Sequence, residues 1–328
     1  MAMSDFLSHI DARTRLAGAN KLEMLLFGLG FDQARQRRET YGINVFKVRE
    51  VMLTPEITVA PDMPSTVAGM VSLRGALLPV VDLAKYAGVQ SDARREILIV
   101  TEYNGQMQGF LVESVDHILR LDWGQMRIPP QMLLNNTGGL VTAVTELEDG
   151  RLVMMLDVEK VLSDTAKPAD DRQYLDIQPV GHQGMAVFFC DDSLVARAQI
   201  RRTLDALQVS YVETHNGYQA WEALDLAARQ AEARGIAPHD AISLVLTDIE
   251  MPEMDGYLLT RKIKSDPRFE RVPVIMHSSL CGNQNQKLGL SVGADEYISK
   301  FDPQRLAVVL RRWLTVDGEA KTDLSPDR

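Results

Sequence analysis

The sequence is short of cysteine, of histidine and of positive charge. Its 328 residues include two cysteines, Cys190 and Cys281, too few for a disulfide framework. There are 35 Lys and Arg against 45 Asp and Glu, a formal net charge of −10. The deficit is even, −5 over residues 1–165 and −5 over residues 166–328. Neither half therefore carries the basic excess that a nucleic-acid backbone requires, and a DNA-binding output is the weakest functional class. No apolar run approaches the roughly 18 residues needed to cross a bilayer. His9 and His117, the histidines before residue 164, are far apart and lack metal-ligand spacing. Gly28 and Gly30 in LLFGLGF precede no helix opening, so they are not a phosphate cradle. The leading MAMSDFLSHIDARTRLAG has acids and no apolar core, which predicts a cytoplasmic chain without a secretion signal.

What is present is ordinary globular composition, 45% hydrophobic and 24% charged, at a length that suits two domains. The polar stretch SDTAKPADDRQ, Ser163 to Gln173, marks the junction. The expected organisation is a leader helix over 1–19, a first domain over 20–163, a linker over 164–183, a second domain over 184–316 and a polar tail over 317–328.

The first domain reads as all-β. Ile97–Tyr103 and MQGFLVESV flank Asn104-Gly105; Leu140–Leu147 and RLVMMLDV flank Glu148-Asp149-Gly150. Asn-Gly and Asp-Gly supply the positive φ that tight hairpin turns need. The alternation of Tyr41, Ile43 and Val45 slips near Phe46, which predicts a bulge there. RGALLPVVDL (74–83) and DGRLVMMLDV (149–158) echo one another, each with Asp seven residues after Gly. The echo suggests two similar β units. Arg35–Arg38 forms a basic loop between strands, read as solvated.

The second domain alternates strand and helix five times. The apolar run 184–190, VSYVET (209–214), AISLVLTD (241–248), VPVIMHS (272–278) and EYIS (296–299) are the strands. The last helix shows Leu306, Val309, Leu310, Trp313 and Leu314 at helical spacing. This pattern implies an α/β, doubly wound, five-stranded parallel sheet, whose site lies at the carboxyl ends of its strands. Asp191, Asp192, Asp248, Ser278, Ser279 and Lys300 all fall at those ends. Carboxylates so gathered repel, by on the order of 4 kcal/mol at 4 Å and an effective dielectric near 20, and call for a cation. An all-oxygen set with open positions suits Mg²⁺. A carboxylate beside a metal and a lysine can act as nucleophile on phosphorus, so Asp248 is expected to become an aspartyl phosphate.

The segments VFFCDDS (187–193), LTDIEMPEMDG (246–256), VIMHSS (274–279) and YISK (297–300) resemble the response-regulator receiver domain. That resemblance, with its flavodoxin-like fold, implies Asp248 as phosphoacceptor, Asp191 and Asp192 with the Glu250 backbone carbonyl as Mg²⁺ ligands, Ser278 and Lys300 as phosphoryl-binding groups, and Ser278 and Tyr297 as switch residues. The family usually has Pro after the lysine; here Phe301 follows Lys300. Glu250 also places a carboxylate two residues past Asp248, where its side chain is expected to reach the attacking water.

YGINVFKVREV (41–51) and VAGMVSLRGALLPVVDL (67–83) resemble the CheW-like coupling domain of bacterial chemotaxis. This implies a pair of SH3-like barrels that bridge the cytoplasmic tips of chemoreceptors (methyl-accepting chemotaxis proteins) and the histidine kinase CheA, with other CheW-like domains as further partners. Arg74 is the expected partner-binding residue, an internal salt bridge being its alternative; Val71, Leu73 and Leu77 read as core. CheW-like then receiver is the order of the CheV family. It implies a scaffold, not an enzyme, at membrane-bound receptor arrays without membrane insertion, tuned by phosphorylation at Asp248. The alternative is a phosphate sink that drains CheA with the coupling domain as a mere tether. A phosphatase acting on another receiver lacks a second acid–base constellation.

Overall fold

The computed structural model describes residues 20–59, 61–103, 106–130, 138–165, 174, 176–180, 186–279, 283–300 and 302–315. The expected leader helix, the polar tail, His9, Cys281 and Phe301 lie outside them. No cis peptide occurs among the described residues. No described helix is long and apolar enough to cross a membrane.

The first half forms two five-stranded sheets. The strands are β1 (Lys21–Asp32), β2 (Arg37–Asn44), β3 (Val48–Leu53), β4 (Val67–Leu73), β5 (Ala76–Asp82), β6 (Ile97–Tyr103), β7 (Gln106–Val112), β8 (Ser114–Asp122), β9 (Val141–Glu146) and β10 (Leu152–Leu156). One sheet has the order β8-β1-β2-β10-β9 and the other β3-β6-β7-β5-β4. The orders correspond strand for strand. Hairpin β1–β2 matches β6–β7, each lies parallel to one strand of a second hairpin, β9–β10 or β4–β5, and β8 matches β3. The echo of 74–83 and 149–158 has this physical basis. Gly75 (φ +85) and Gly150 (φ +81) take left-handed turn conformations, and Asp82 and Asp157 accept backbone N–H bonds that cap helices α1 (Leu83–Tyr86) and α2 (Val158–Thr165).

β1 reads as a nearly unbroken apolar run because both its faces are buried. Leu22, Met24 and Leu26 fill one barrel with Trp123 and Met155. Leu25, Phe27 and Leu29 face the other way, into a core shared with Ile99, Phe110 and Val112 of the second barrel. The phase slip near Phe46 is a 3-10 turn, Val45–Lys47, capped by Asn44, and not a bulge. Val71 is buried and Leu73 packs on the barrel core, whereas Leu77 is 69% exposed and is not core.

The second half is a parallel sheet of β11 (Ala186–Cys190), β12 (Ser210–Thr214), β13 (Ile242–Thr247), β14 (Val274–Ser278) and β15 (Glu296–Ser299), in the order β12-β11-β13-β14-β15. α3 (Leu194–Leu207) and α8 (Pro303–Thr315) cover one face. α4 (Gly217–Ala233) and α6 (Gly256–Ser265) cover the other, with α5 (Pro238–Ala241) and α7 (Asn283–Ser291) completing the connections. Ile177, inside the expected linker, packs into the α3–α8 core, and the Val180 N–H donates to Leu207. The described end of the expected linker thus packs on the second half.

Truncating the shared core should be costly and truncating the exposed face of β5 should not. Phe110→Ala is expected to destabilise the first half by about 3–5 kcal/mol, and Leu77→Ala by under about 0.5 kcal/mol, read from the denaturant transition of that half.

Candidate functional site

Parallel pairing brings four strand ends to one edge. Asp191 and Asp192 follow β11, Asp248 follows β13, Ser278 and Ser279 close β14, and Lys300 follows β15. The Lys300 ammonium, 1% exposed, lies 2.9 Å from Asp191 Oδ2 and 3.0 Å from Asp248 Oδ2. One ligand atom from each of Asp191, Asp192 and Asp248 lies within 4.8 Å of the others. Asp248 is fixed by its surroundings. Its N–H donates to Cys190 O (2.9 Å), and its Oδ1 accepts from the Ile249 N–H (2.7 Å). Gly256 approaches so closely that a Cβ there would stand 1.9 Å from the Asp248 carbonyl oxygen. Asp191 Oδ1 accepts from the Ser193 N–H, and the Asp191 carbonyl accepts from Arg197. Buried Ser278 accepts the Lys300 N–H at its carbonyl (3.0 Å).

The expected site residues Asp191, Asp192, Asp248, Ser278 and Lys300 are thus brought together. Tyr297 lies on β15 opposite Met276, three residues before Lys300, packed on the cluster of Ile249, Tyr257 and Met276. Arg74 stands apart, in the β4–β5 turn; it pairs with Glu50 at 2.9 Å, yet its side chain is 70% exposed. Such an exposed pair contributes little stability, so the guanidinium is open to other carboxylates. The Glu250 side chain does not turn toward Asp248 as expected. It accepts from Asn44 Nδ2 and lies 3.5 Å from Lys47 Nζ, both in the first half.

That contact belongs to a second set of residues, which sequence reasoning did not find. Glu159, in the first turn of α2, places Oε1 2.9 Å from Lys47 Nζ and Oε2 3.6 Å from Lys300 Nζ. Ser279 hydrogen-bonds the same carboxylate, and Asp157 hydrogen-bonds Ser193. Asn20 Oδ1 accepts from the Asp255 N–H (3.1 Å), and the Trp123 carbonyl accepts from the Glu253 N–H (3.0 Å). Phe46 packs against the receiver cluster of Ile249, Tyr257 and Met276. One signal was available. The echo aligns Glu159 with Ala84, a small buried residue, so a carboxylate at that offset departs from the repeat.

The edge holds an excess of acid. Burial, then Asp191, pushes Asp192 up to about 8, against the pull of Lys300 and Lys47. Burial also raises Asp248, against the pull of Lys300 and with Asp191 and Asp192 adding to the rise. Burial works against the Glu159 anion too, but Lys300 and Lys47 outweigh it and hold that carboxyl down at about 2. Burial likewise opposes the Lys300 charge, and Asp191, Asp248 and Glu159 more than offset it. The Asp157 Oδ2 and Glu250 Oε2 atoms are buried without a hydrogen-bond partner. An all-oxygen trio of this spacing in an acid-rich pocket fits a hard divalent cation. A cleft of about 260 Å³ between the two halves is lined by Gly139, Thr142, Asp192, Arg197 and His215, so Asp192 borders it.

Residues 24–166 match the CheW-like domain family and residues 187–311 the response regulator receiver domain family. The chain is 31% identical to chemotaxis protein CheV3 of Helicobacter pylori, over 87% of this chain and 92% of that protein. It is 27% identical to chemotaxis protein CheV1 of the same organism, over 95% and 99%. Among solved structures, the scaffolding protein TtCheW from Thermoanaerobacter tengcongensis is 26% identical, covers 42% of this chain and 84% of its own, and has a TM-score of 0.36.

His277, on β14 beside this edge, is 1% exposed, and burial and then Lys300 push its pKa down to about 3. The unfolded chain, with an ordinary value near 6.5, binds that proton first, so stability falls as pH drops through 6.5 toward 3. His277→Val is expected to flatten the decline in receiver stability between pH 7 and 4, measured by denaturant unfolding at each pH.

Proposed function

The chain belongs to the CheV family of chemotaxis proteins, a CheW-like coupling domain followed by a receiver, and from that premise we propose how its residues divide the task. It is a chemotaxis coupling protein with a phosphorylatable receiver. Asp248 is the phosphoacceptor and CheA the donor. An Asp248 carboxylate oxygen attacks the phosphorus of a phosphohistidine, the P–N bond breaks, and the released imidazole nitrogen takes up a proton. Lys300 holds a phosphoryl oxygen as a point charge, and the Ser278 hydroxyl donates to another. Asp191, Asp192 and Asp248, with the Glu250 backbone carbonyl, hold Mg²⁺, which when bound offsets the charge of the transferring group. Ser278 and Tyr297 relay the change to the β14–β15 face.

The observation that carries this reading is the grouping of Asp191, Asp192 and Asp248 within 4.8 Å, with Lys300 bridging two of them. The coupling domain bridges CheA and the cytoplasmic tips of chemoreceptors, with Arg74 on its contact surface and other CheW-like domains as further partners. The chain acts there as an adaptor and not as an enzyme, on the cytoplasmic side of receptor arrays. A phosphate sink with a mere tether is disfavoured, because coupling-domain residues Lys47 and Glu159 lie against the receiver's acidic edge.

Label from phosphorylated CheA is expected to pass to the wild type in Mg²⁺, and not to Asp248→Asn or in the presence of EDTA; the Asp248→Asn chain should also lose the phosphorylation-dependent change in binding to receptor and kinase. Mg²⁺ needs the Asp192 carboxylate free of its proton. Apparent Mg²⁺ affinity should therefore rise with pH by up to about tenfold per unit and level off near pH 8, as followed by calorimetric titration.

A further inference from the structure

The phosphorylation edge is covered. Within the whole chain Asp248 is 3% exposed, Asp191 0%, Ser279 2% and Lys300 1%. Against it lies a specific charged contact from the coupling domain. Glu159 presents a carboxylate to two ammonium groups, Lys47 and Lys300, and to Ser279. Two ammoniums and a hydroxyl are the partners a phosphoryl anion seeks. The Glu159 backbone is also anchored, its N–H donating to Asp157 Oδ1 (3.0 Å) at the start of α2.

We propose that Glu159 stands in for the phosphoryl group, so that the docked arrangement of the two domains and the phosphorylated state of Asp248 exclude one another. The inference rests on the reading of Asp248 as phosphoacceptor. A phosphoryl group on Asp248 needs Lys300, which Glu159 shares, and adds negative charge beside a buried carboxylate. Phosphorylation therefore ejects Glu159. With it go the Lys47 pairing, the Asn44–Glu250 hydrogen bond and the seat of Phe46 on the Ile249–Tyr257–Met276 cluster. The coupling domain is then freed from the receiver. The linkage is reciprocal: whatever factor docking takes from phosphorylation, phosphorylation takes from docking.

Acetyl phosphate tests this without involving the kinase. An Asp248 oxygen attacks its phosphorus, the P–O bond to acetyl breaks, and acetate leaves. In full-length protein with Mg²⁺, Glu159→Gln and Glu159→Ala are expected to raise the phosphorylation rate by about tenfold or more. Phe46→Ala, which loosens docking without altering a charge, should raise it in the same direction. Beryllofluoride with Mg²⁺ should increase the radius of gyration of the wild type in solution scattering, and speed amide exchange at Glu253 and Asp255, whose N–H groups donate across the contact. Equal rates in wild type and Glu159 variants, with wild-type scattering unchanged by beryllofluoride, would overturn the proposal and leave Asp248 as acceptor. A faster Glu159→Gln with no effect of Phe46→Ala and no expansion also overturns it, leaving Glu159 a purely electrostatic brake. Absence of phosphorylation in every chain would sink the acceptor reading itself, and this inference with it.

Discussion

The Lys300 ammonium is buried and shared by Asp191 at 2.9 Å, Asp248 at 3.0 Å and Glu159 at 3.6 Å, and the arrangement of the strand-end edge follows from that sharing. Three carboxylates from three separate elements can lie this close only because a cation stands between them. Breaking a buried pair by removing one partner typically costs about 3–5 kcal/mol, since a charge is left uncompensated. Lys300 thereby fixes the end of β15 relative to those of β11 and β13. It also joins the receiver to α2 of the coupling domain. The same group that prepares Asp248 for chemistry is the one that keeps it covered.

Much of this was legible in the sequence. Strand–helix alternation and the positions of Asp191, Asp192, Asp248, Ser278 and Lys300 follow from local patterns, because a parallel sheet places every strand end on one edge. The two hairpins and the echo were legible because turn chemistry is local. Glu159 and Lys47 were not. Each sits in a stretch whose neighbours explain it as helix start or 3-10 turn, and its partner lies over a hundred residues away. Glu250 was misread for the same reason: its position beside Asp248 is local, but its partners Asn44 and Lys47 are supplied by another domain. Leu77 was misread because alternation gives a face and not which face is covered.

The two kinds of contact within the chain differ in character. The barrels of the coupling domain share a continuous apolar core, with Phe27, Tyr41, Ile99 and Phe110 packed together. Separating them would expose all of it. Among the described residues, the contact between coupling domain and receiver combines ion pairs and hydrogen bonds with Phe46 on the receiver and Leu194 against Gly139. An interface that is not a continuous apolar core suits domains that move relative to one another. The molecule is thus stiff where the two barrels meet and separable where the charges meet.

The strand order also dictates how the chain can mature as it is made. The second barrel uses residues 48–112 without interruption, so it can close as soon as Val112 is available. The first barrel begins at Lys21 but needs β8, β9 and β10, and β2 waits for its parallel partner until Leu156. One barrel is therefore an insertion within the other, and the apolar faces of β1 and β2 stay uncovered while it is synthesised. Long-range pairing of this kind is slow and prone to aggregation. The early-closing barrel offers Ile99, Phe110 and Val112 as a surface on which Leu25, Phe27 and Leu29 can rest in the interval. The shared core between the barrels thus ties the strands that are completed last to the unit whose sequence is complete first.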